Sequence, residues 1–92
     1  MEFEWDDIKN QENIRKHGVS FHQAELIWEG IHFEIENLAR SDDEETRNAT
    51  MGWIGSRVYL AIWTSRGQKI RLISVRRAGK NEEKIFLEKI QN

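Results

Sequence analysis

Four arginines and one histidine are the residues of this 92-residue sequence best suited to chemistry on a phosphate: His17, Arg47, Arg71, Arg76 and Arg77. A guanidinium group offers planar pairs of N–H donors that match phosphate oxygens, and an imidazole can move a proton near neutral pH. Cleavage of an RNA phosphodiester by its neighbouring 2′-hydroxyl needs a base, an acid and cations that stabilise the charge developing on phosphorus. The four arginines, with His17 or a nearby lysine, can meet those needs, and no metal is obligatory.

Strand periodicity limits how many of these arginines one site can hold. Arg71 and Arg76 are five residues apart in a segment that is predicted to be a strand. Strict alternation therefore places them on opposite faces, unless the strand ends or bulges near Ser74. The four arginines share one site only if that interruption exists.

Glu45 and His17 each have a structural explanation beside a chemical one. Glu45 can orient Arg47 on one strand face or act as the base, but an ordinary surface ion pair accounts for the same spacing. His17 closes a predicted helix, where a protonated imidazole interacts favourably with the helix dipole. The three histidines, His17, His22 and His32, have no spacing typical of a shared metal. We expect no metal and no cofactor.

The composition narrows the class of protein. There is no cysteine, so thiol nucleophiles, disulfides and thiolate zinc sites are excluded, and the cytoplasm is the expected location. The N-terminus is acidic and has no apolar run typical of a signal peptide or membrane anchor. The chain contains no P-loop, dinucleotide-binding or zinc-protease motif. Its length predicts one domain over residues 1–92.

The charges are divided unevenly along the chain. Residues 1–46 hold four Lys or Arg against thirteen Asp or Glu, whereas residues 47–92 hold ten against three, although the net charge is only −2. The segment 57–80 has seven basic residues and no acidic ones. It also reads as a β-hairpin around Ser65-Arg66-Gly67. This cationic hairpin can attract phosphates, and a solvated sheet edge is the alternative.

Hydrophobic periodicity predicts an α+β fold. Two N-terminal helices cover one face of an antiparallel sheet, and a helix follows at the C-terminus, in the order β-α-α-β-β-β-β-α. Residues 37–44 form a polar loop in this scheme. The predicted strands are 2–5, 31–35, 45–54, 57–64 and 68–76, and the predicted helices are 7–16, 21–30 and one capped by Asn81.

Capping signals define the two N-terminal helices more sharply than their apolar residues do. Asp6 is the expected N-cap of the first helix and Gly18 its C-terminal residue of left-handed conformation. Ser20 and Gln23 match a capping box at the start of the second helix. The apolar face of the first helix is thin, because Ile8 and Ile14 are its only large aliphatic residues.

Several fragments, taken in order and spacing, resemble the BrnT toxin family over nearly the whole chain. The fragments are Lys16-His17-Gly18-Val19-Ser20-Phe21 with Ala24, Glu45-Thr46-Arg47 with Gly52, Thr64-Ser65-Arg66-Gly67, Ile70-Arg71-Leu72-Ile73-Ser74, and Arg76-Arg77-Ala78 with Glu82. Each fragment alone is weak. Their combination makes the resemblance strong.

The resemblance implies a RelE-like fold and a metal-independent ribonuclease toxin of a type II toxin–antitoxin pair. Such a toxin cuts RNA, inhibits translation, is neutralised by a BrnA-like antitoxin, and reaches operator DNA only through that antitoxin. The implied catalytic residues are His17, Glu45, Arg47 and Arg76, and the implied RNA-binding residues are Arg71 and Arg77. Lys80, the last basic residue of segment 57–80, is expected to bind RNA as well. In the working assignment Arg76 and Arg47 hold the phosphate, His17 transfers protons and Glu45 orients. The sequence departs from the family at Phe86, where a tyrosine is common.

Two other functions remain compatible with the sequence. The same basic face can belong to a binding module without catalysis that holds an antitoxin or a nucleic acid. The chain can also be an interaction domain without any nucleic-acid role. Only the ribonuclease hypothesis predicts RNA scission.

Overall fold

The computed structural model describes residues 1–40 and 46–91, and these residues form one sheet with helices on both faces. The mixed α+β class predicted from the sequence is confirmed. The elements are β1 (Glu2–Glu4), α1 (Asp7–His17), α2 (Phe21–Ala24), a 3₁₀ helix (Glu25–Glu29), β2 (His32–Arg40), β3 (Thr46–Ile54), β4 (Arg57–Arg66), β5 (Lys69–Arg77) and α3 (Lys80–Ile90).

The sheet has the strand order β1-β5-β4-β3-β2. Strands β2 to β5 pair antiparallel with their neighbours, but β1 pairs parallel with β5, with Glu2 opposite Lys69 and Glu4 opposite Arg71. The prediction of a purely antiparallel sheet is therefore wrong at this edge. Alternation of apolar residues identifies a strand, but it carries no information on which strand will be its neighbour.

Several element boundaries also differ from the prediction; β4, for example, includes Ser65 and Arg66, so the hairpin turn lies at residues 67–68. The second helix is a four-residue α-helix continued by the 3₁₀ helix. Strand β2 runs to Arg40, so part of the predicted polar loop 37–44 is strand, and residues 41–45 lie outside the described residues. The N-cap of α3 is Gly79 and not Asn81, because the Glu82 carboxylate accepts the Gly79 N–H at 2.8 Å and starts the helix two residues earlier.

The core on the α1/α2 side of the sheet joins the two N-terminal helical segments to β4 and β5. Phe21, Ala24 and Ile27 are fully buried there. The indole N–H of Trp63 donates to the Thr50 hydroxyl at 2.8 Å, so these two buried polar groups are paired. The cluster contains Val19, Phe21, Ala24, Ile27, Ala61, Trp63, Ile70, Leu72 and Val75.

A second core lies on the opposite face, under α3. Phe86 is fully buried, and its ring stacks on Phe33 at 5.8 Å and meets Trp53 edge-on at 5.5 Å. These contacts attach α3 to β2 and β3. The cluster contains Ala49, Met51, Val58, Leu60, Ala78 and Phe86. None of the helices among the described residues has the length and apolar character needed to cross a membrane.

The ends of α1 follow the sequence prediction, but its packing does not depend on its isoleucines. The Asp6 carboxylate accepts the N–H groups of the first turn, and Gly18 ends the helix at φ 70°. The side chain of Ile8 is 71% exposed. The residue of α1 that is buried is polar: Asn13, at 6% exposure.

The amide group of Asn13 binds the free edge of β5. Because β1 covers β5 only from Lys69 to Arg71, the backbone groups further along this edge need other partners. Asn13 Nδ2 donates to the Val75 carbonyl at 2.8 Å, and Asn13 Oδ1 accepts the Val75 N–H at 3.1 Å. Nδ2 also donates to the Val19 carbonyl at 2.9 Å. The Asn13 side chain thus binds the β5 backbone at Val75, where β1 provides no partner, and fixes α1 to the sheet.

We expect Asn13→Ala to lower the free energy of unfolding by about 3 kcal/mol, because it leaves three buried backbone groups without partners. The matched control is Gln11→Ala, at an exposed position of the same helix. Urea unfolding monitored by circular dichroism measures both. Equal, small losses in the two variants would contradict the role given to Asn13.

Candidate functional site

A β-bulge in β5 decides which arginines share a face of the sheet. The pairing with β4 shifts by one residue between Ile62, which faces Ser74, and Trp63, which faces Leu72. Residues that pair directly across an antiparallel ladder lie on the same face. Arg71 pairs with Thr64 and Arg76 with Leu60, two residues of β4 that are an even number apart. The bulge therefore brings Arg71 and Arg76 to one face, as the sequence analysis required for a shared site.

Arg47 lies on the same face, two strands away. Ala49 of β3 pairs with Ile62 of β4, and Arg47 precedes Ala49 by two residues, so its side chain is on the same side of the sheet. We call this surface, which carries Arg47, Arg71, Ser74 and Arg76, the arginine face. It is the face whose other part is covered by α3.

Of the three arginines that define the arginine face, two are paired with carboxylates. Arg71 donates from Nη1 to Glu4 Oε2 at 2.7 Å, across the parallel pair of β5 and β1. Arg76 makes a bidentate pair with Glu82, with Nη1 to Oε1 at 2.7 Å and Nη2 to Oε2 at 2.8 Å. Parallel N–H···O bonds of this kind are the strongest arginine contacts. Arg76 therefore ties β5 to the first turn of α3.

The ion pair with Arg76 changes the acidity of Glu82. Hydrogen bonds from Arg76, followed by the bond from the Gly79 N–H, lower the pKa of Glu82 to about 2. The same pair raises the pKa of Arg76. The carboxylate remains charged in all but strongly acidic solution, so Arg76 is electrostatically neutralised in this conformation.

Arg47 is in a different state from its two neighbours. Its guanidinium Nε is buried, and no hydrogen-bond acceptor meets it within the described residues. A buried N–H without a partner costs roughly 1–3 kcal/mol, so each such group calls for an explanation such as a bound ligand or water. Arg47 thus carries a buried donor without an acceptor in the described residues, whereas Arg71 and Arg76 are each balanced by a carboxylate.

His17 lies at the end of α1, beside the bulge of β5. It lines a cleft of about 160 Å³ together with Ser74, which belongs to the arginine face. No hydrogen bond or ion pair among the described residues links His17 to the arginines. The cleft therefore connects the imidazole to the margin of the arginine face. Its lining residues are Lys9, Glu12, Asn13, Lys16, His17, Ile73 and Ser74.

The remaining predicted site residues are placed less favourably. Arg77 pairs with Tyr59 and so lies on the opposite face from Arg76. Lys80 is the exposed first residue of α3. Glu45 is outside the described residues. The catalytic and RNA-binding roles given to these residues, and to the four discussed above, stay predictions.

Sequence reasoning missed four residues that surround the predicted ones: Glu4, Lys9, Lys16 and Ser74. The contact of Glu4 with Arg71 could not be inferred from the sequence, because it depends on the parallel register of β1 with β5. Lys9 and Lys16 are seven residues apart on one helix, which signals a common face, but the sequence does not show that the face lies beside β5. No group of three or more His, Asp or Glu side chains in residues 1–40 and 46–91 is placed to hold a metal ion.

These features define a small α+β protein whose sheet carries three arginines on one face, one of them with a buried N–H that has no acceptor in the described residues. A comparison with protein-family models matches residues 5–82 to the ribonuclease toxin, BrnT, of type II toxin–antitoxin systems. That match spans most of the sequence, and the chain belongs to the BrnT toxin family. The resemblance noted from the sequence is confirmed. Membership implies an antitoxin partner and an RNA substrate. A search of curated proteins gave no significant match.

The ion pair of Arg76 and Glu82 predicts a specific dependence of stability on pH. Because the pKa of Glu82 in the folded chain is lowered to about 2 from 4.5, its stabilisation is complete above about pH 4.5 and is lost as the pH falls towards 2. Glu82→Gln should reduce stability at pH 7, and its difference from wild type should shrink between pH 4.5 and pH 2.

Urea unfolding at a series of pH values measures this difference. Glu83→Gln is the charge-matched control, since it removes a carboxylate from the same turn and leaves the pair with Arg76 intact. A gap between wild type and Glu82→Gln that stays constant down to pH 2 would show that the ion pair does not stabilise the fold.

Proposed function

We propose that this chain is a metal-independent endoribonuclease that cleaves RNA by attack of the 2′-hydroxyl on the adjacent phosphate. The observation that carries the proposal is the buried, unpaired Nε of Arg47 on the same face as Arg71 and Arg76. A phosphate oxygen is the acceptor that an arginine donor matches best, and a ribonuclease toxin family supplies RNA as the source of that phosphate.

In this mechanism the cations act on the charge that develops during the reaction. The 2′-oxygen forms a bond to phosphorus, its proton passes to a base, and the bond from phosphorus to the 5′-oxygen breaks as that oxygen takes a proton from an acid. Arg47 stabilises the negative charge on the phosphate oxygens. This effect is largest in the transition state, where the charge is greatest.

We assign proton transfer to His17 and orientation of Arg47 to Glu45. His17 lines the cleft that opens at Ser74, so an RNA strand bound on the arginine face has an imidazole at its margin. Arg76 contributes as a phosphate ligand if the substrate displaces Glu82, and otherwise holds α3 in place. The contacts of Arg77 and Lys80 with the RNA backbone are only peripheral. Arg77 lies on the opposite face of the sheet, and Lys80 lies at the start of α3.

We extend the proposal to the fold and to the biological setting of the protein. We propose a RelE-like arrangement of the sheet and its helices and a cytoplasmic site of action on RNA in translation. A BrnA-like antitoxin neutralises the toxin by covering its cationic surface, and operator DNA is bound only through that antitoxin. Most of the basic residues lie in residues 47–92. This distribution supports masking of the toxin by an acidic segment of the antitoxin.

A second candidate is a binding module without catalysis, which holds an antitoxin or a nucleic acid on the same face. The carboxylates of Glu4 and Glu82 favour it, because they already occupy donors of Arg71 and Arg76. Neutralised arginines stabilise developing charge less than free ones do. RNA scission separates the two functions.

The test is cleavage of single-stranded RNA by the purified chain in the presence of EDTA. We expect wild type to cleave, Arg47→Ala to lose at least about 100-fold in rate, and His17→Ala to lose a comparable factor. Arg57→Ala is the matched control, since it removes an exposed arginine from the other face of the same sheet.

Circular dichroism verifies that each variant is folded. If folded wild type binds RNA without cutting it, the binding-module function is correct. If Arg47→Ala cleaves at the rate of wild type, the donor at Nε has no part in the reaction and the proposed site is wrong.

A further inference from the structure

The cleft between α1 and the bulge of β5 contains cations that the proposed site does not use. Lys9 and Lys16 are exposed and lie on the same face of α1, and both line the cleft with His17. Neither lysine side chain makes a hydrogen bond or an ion pair within the described part of the chain. Both ammonium groups are therefore available to a ligand.

The cleft has a volume of about 160 Å³, and its lining offers donors and positive charges suited to a phosphate group. Ser74 adds a hydroxyl donor on the β5 side, whereas the Asn13 amide is already used by Val19 and Val75. Glu12 is the one acid in the lining, against two lysines and a histidine.

The cleft also lies where a bound RNA strand would continue. Ser74 is on the arginine face and is two residues from Arg76 along β5, a distance of about 7 Å along a strand. An RNA strand that contacts Arg76 can therefore reach the mouth of the cleft.

We propose that Lys9 and Lys16 form a second phosphate subsite, which binds the RNA backbone next to the phosphate held on the arginine face. This inference rests on the proposed function, because it takes single-stranded RNA as the ligand. The subsite binds by charge and carries no base specificity. The carboxylate of Glu12 repels a phosphate and therefore limits the affinity of the subsite for free phosphate.

The test is binding of a fully 2′-O-methylated single-stranded RNA, which cannot be cleaved, measured by fluorescence anisotropy from 50 to 300 mM salt. Lys9→Gln/Lys16→Gln should bind about three- to tenfold more weakly at low salt, and its salt slope should be smaller by about 0.7 to 1.4, since each phosphate contact on a single strand contributes about 0.7. Glu12→Gln should bind more tightly than wild type.

The matched control is Arg15→Gln/Lys89→Gln, which removes two exposed positive charges outside the cleft. It should keep the salt slope of wild type. An unchanged slope in Lys9→Gln/Lys16→Gln, with RNA binding that still depends on Arg47, overturns the subsite and leaves the proposed function standing. Failure of wild type to bind the RNA overturns both. If the control variant and Lys9→Gln/Lys16→Gln change RNA binding equally, the two lysines act only through general electrostatic attraction, and the subsite is refuted.

Discussion

The pairing of the Asn13 amide with the backbone of Val75 is the contact on which the site geometry depends. It supplies the hydrogen bonds that β1 is too short to make, and it holds α1 against β5 just beyond the bulge. Two consequences follow from this one contact. The end of α1, with His17, is fixed beside Ser74, and the open edge of β5 is protected from pairing with another chain.

The arginine face shows how a chain of low net charge can keep a cationic site. Glu4 and Glu82 neutralise Arg71 and Arg76 and bind elements of the fold through them, so these two arginines also stabilise the structure. Arg47 is left with a buried donor that has no acceptor in the described residues. Two of these three arginines therefore stabilise the fold, and the third is the one whose donor the proposed function assigns to RNA, in a chain whose net charge is only −2.

The local features of the fold could be predicted from the sequence, whereas the contacts between distant elements could not. Asp6, Gly18 and the Ser20–Gln23 capping box define their helix ends through bonds to near neighbours, and all three were predicted correctly. The parallel partner of β1, the position of the bulge and the role of Asn13 depend on residues up to 67 positions apart, such as Glu4 and Arg71. For the site, residue types and the family resemblance identified the arginines, but only the register placed three of them on one face and Arg77 on the other.

The most direct test of the account is to observe the Arg47 donor itself when RNA binds. The ¹⁵N-labelled chain is titrated with a 2′-O-methylated single-stranded RNA while the arginine Nε–Hε resonances are recorded by NMR, with Arg47→Lys used for assignment. We predict that the Arg47 resonance shifts until the site is saturated, because its Nε acquires an acceptor, and that the Arg57 resonance on the opposite face does not move. Saturable RNA binding with an unchanged Arg47 resonance would contradict the account.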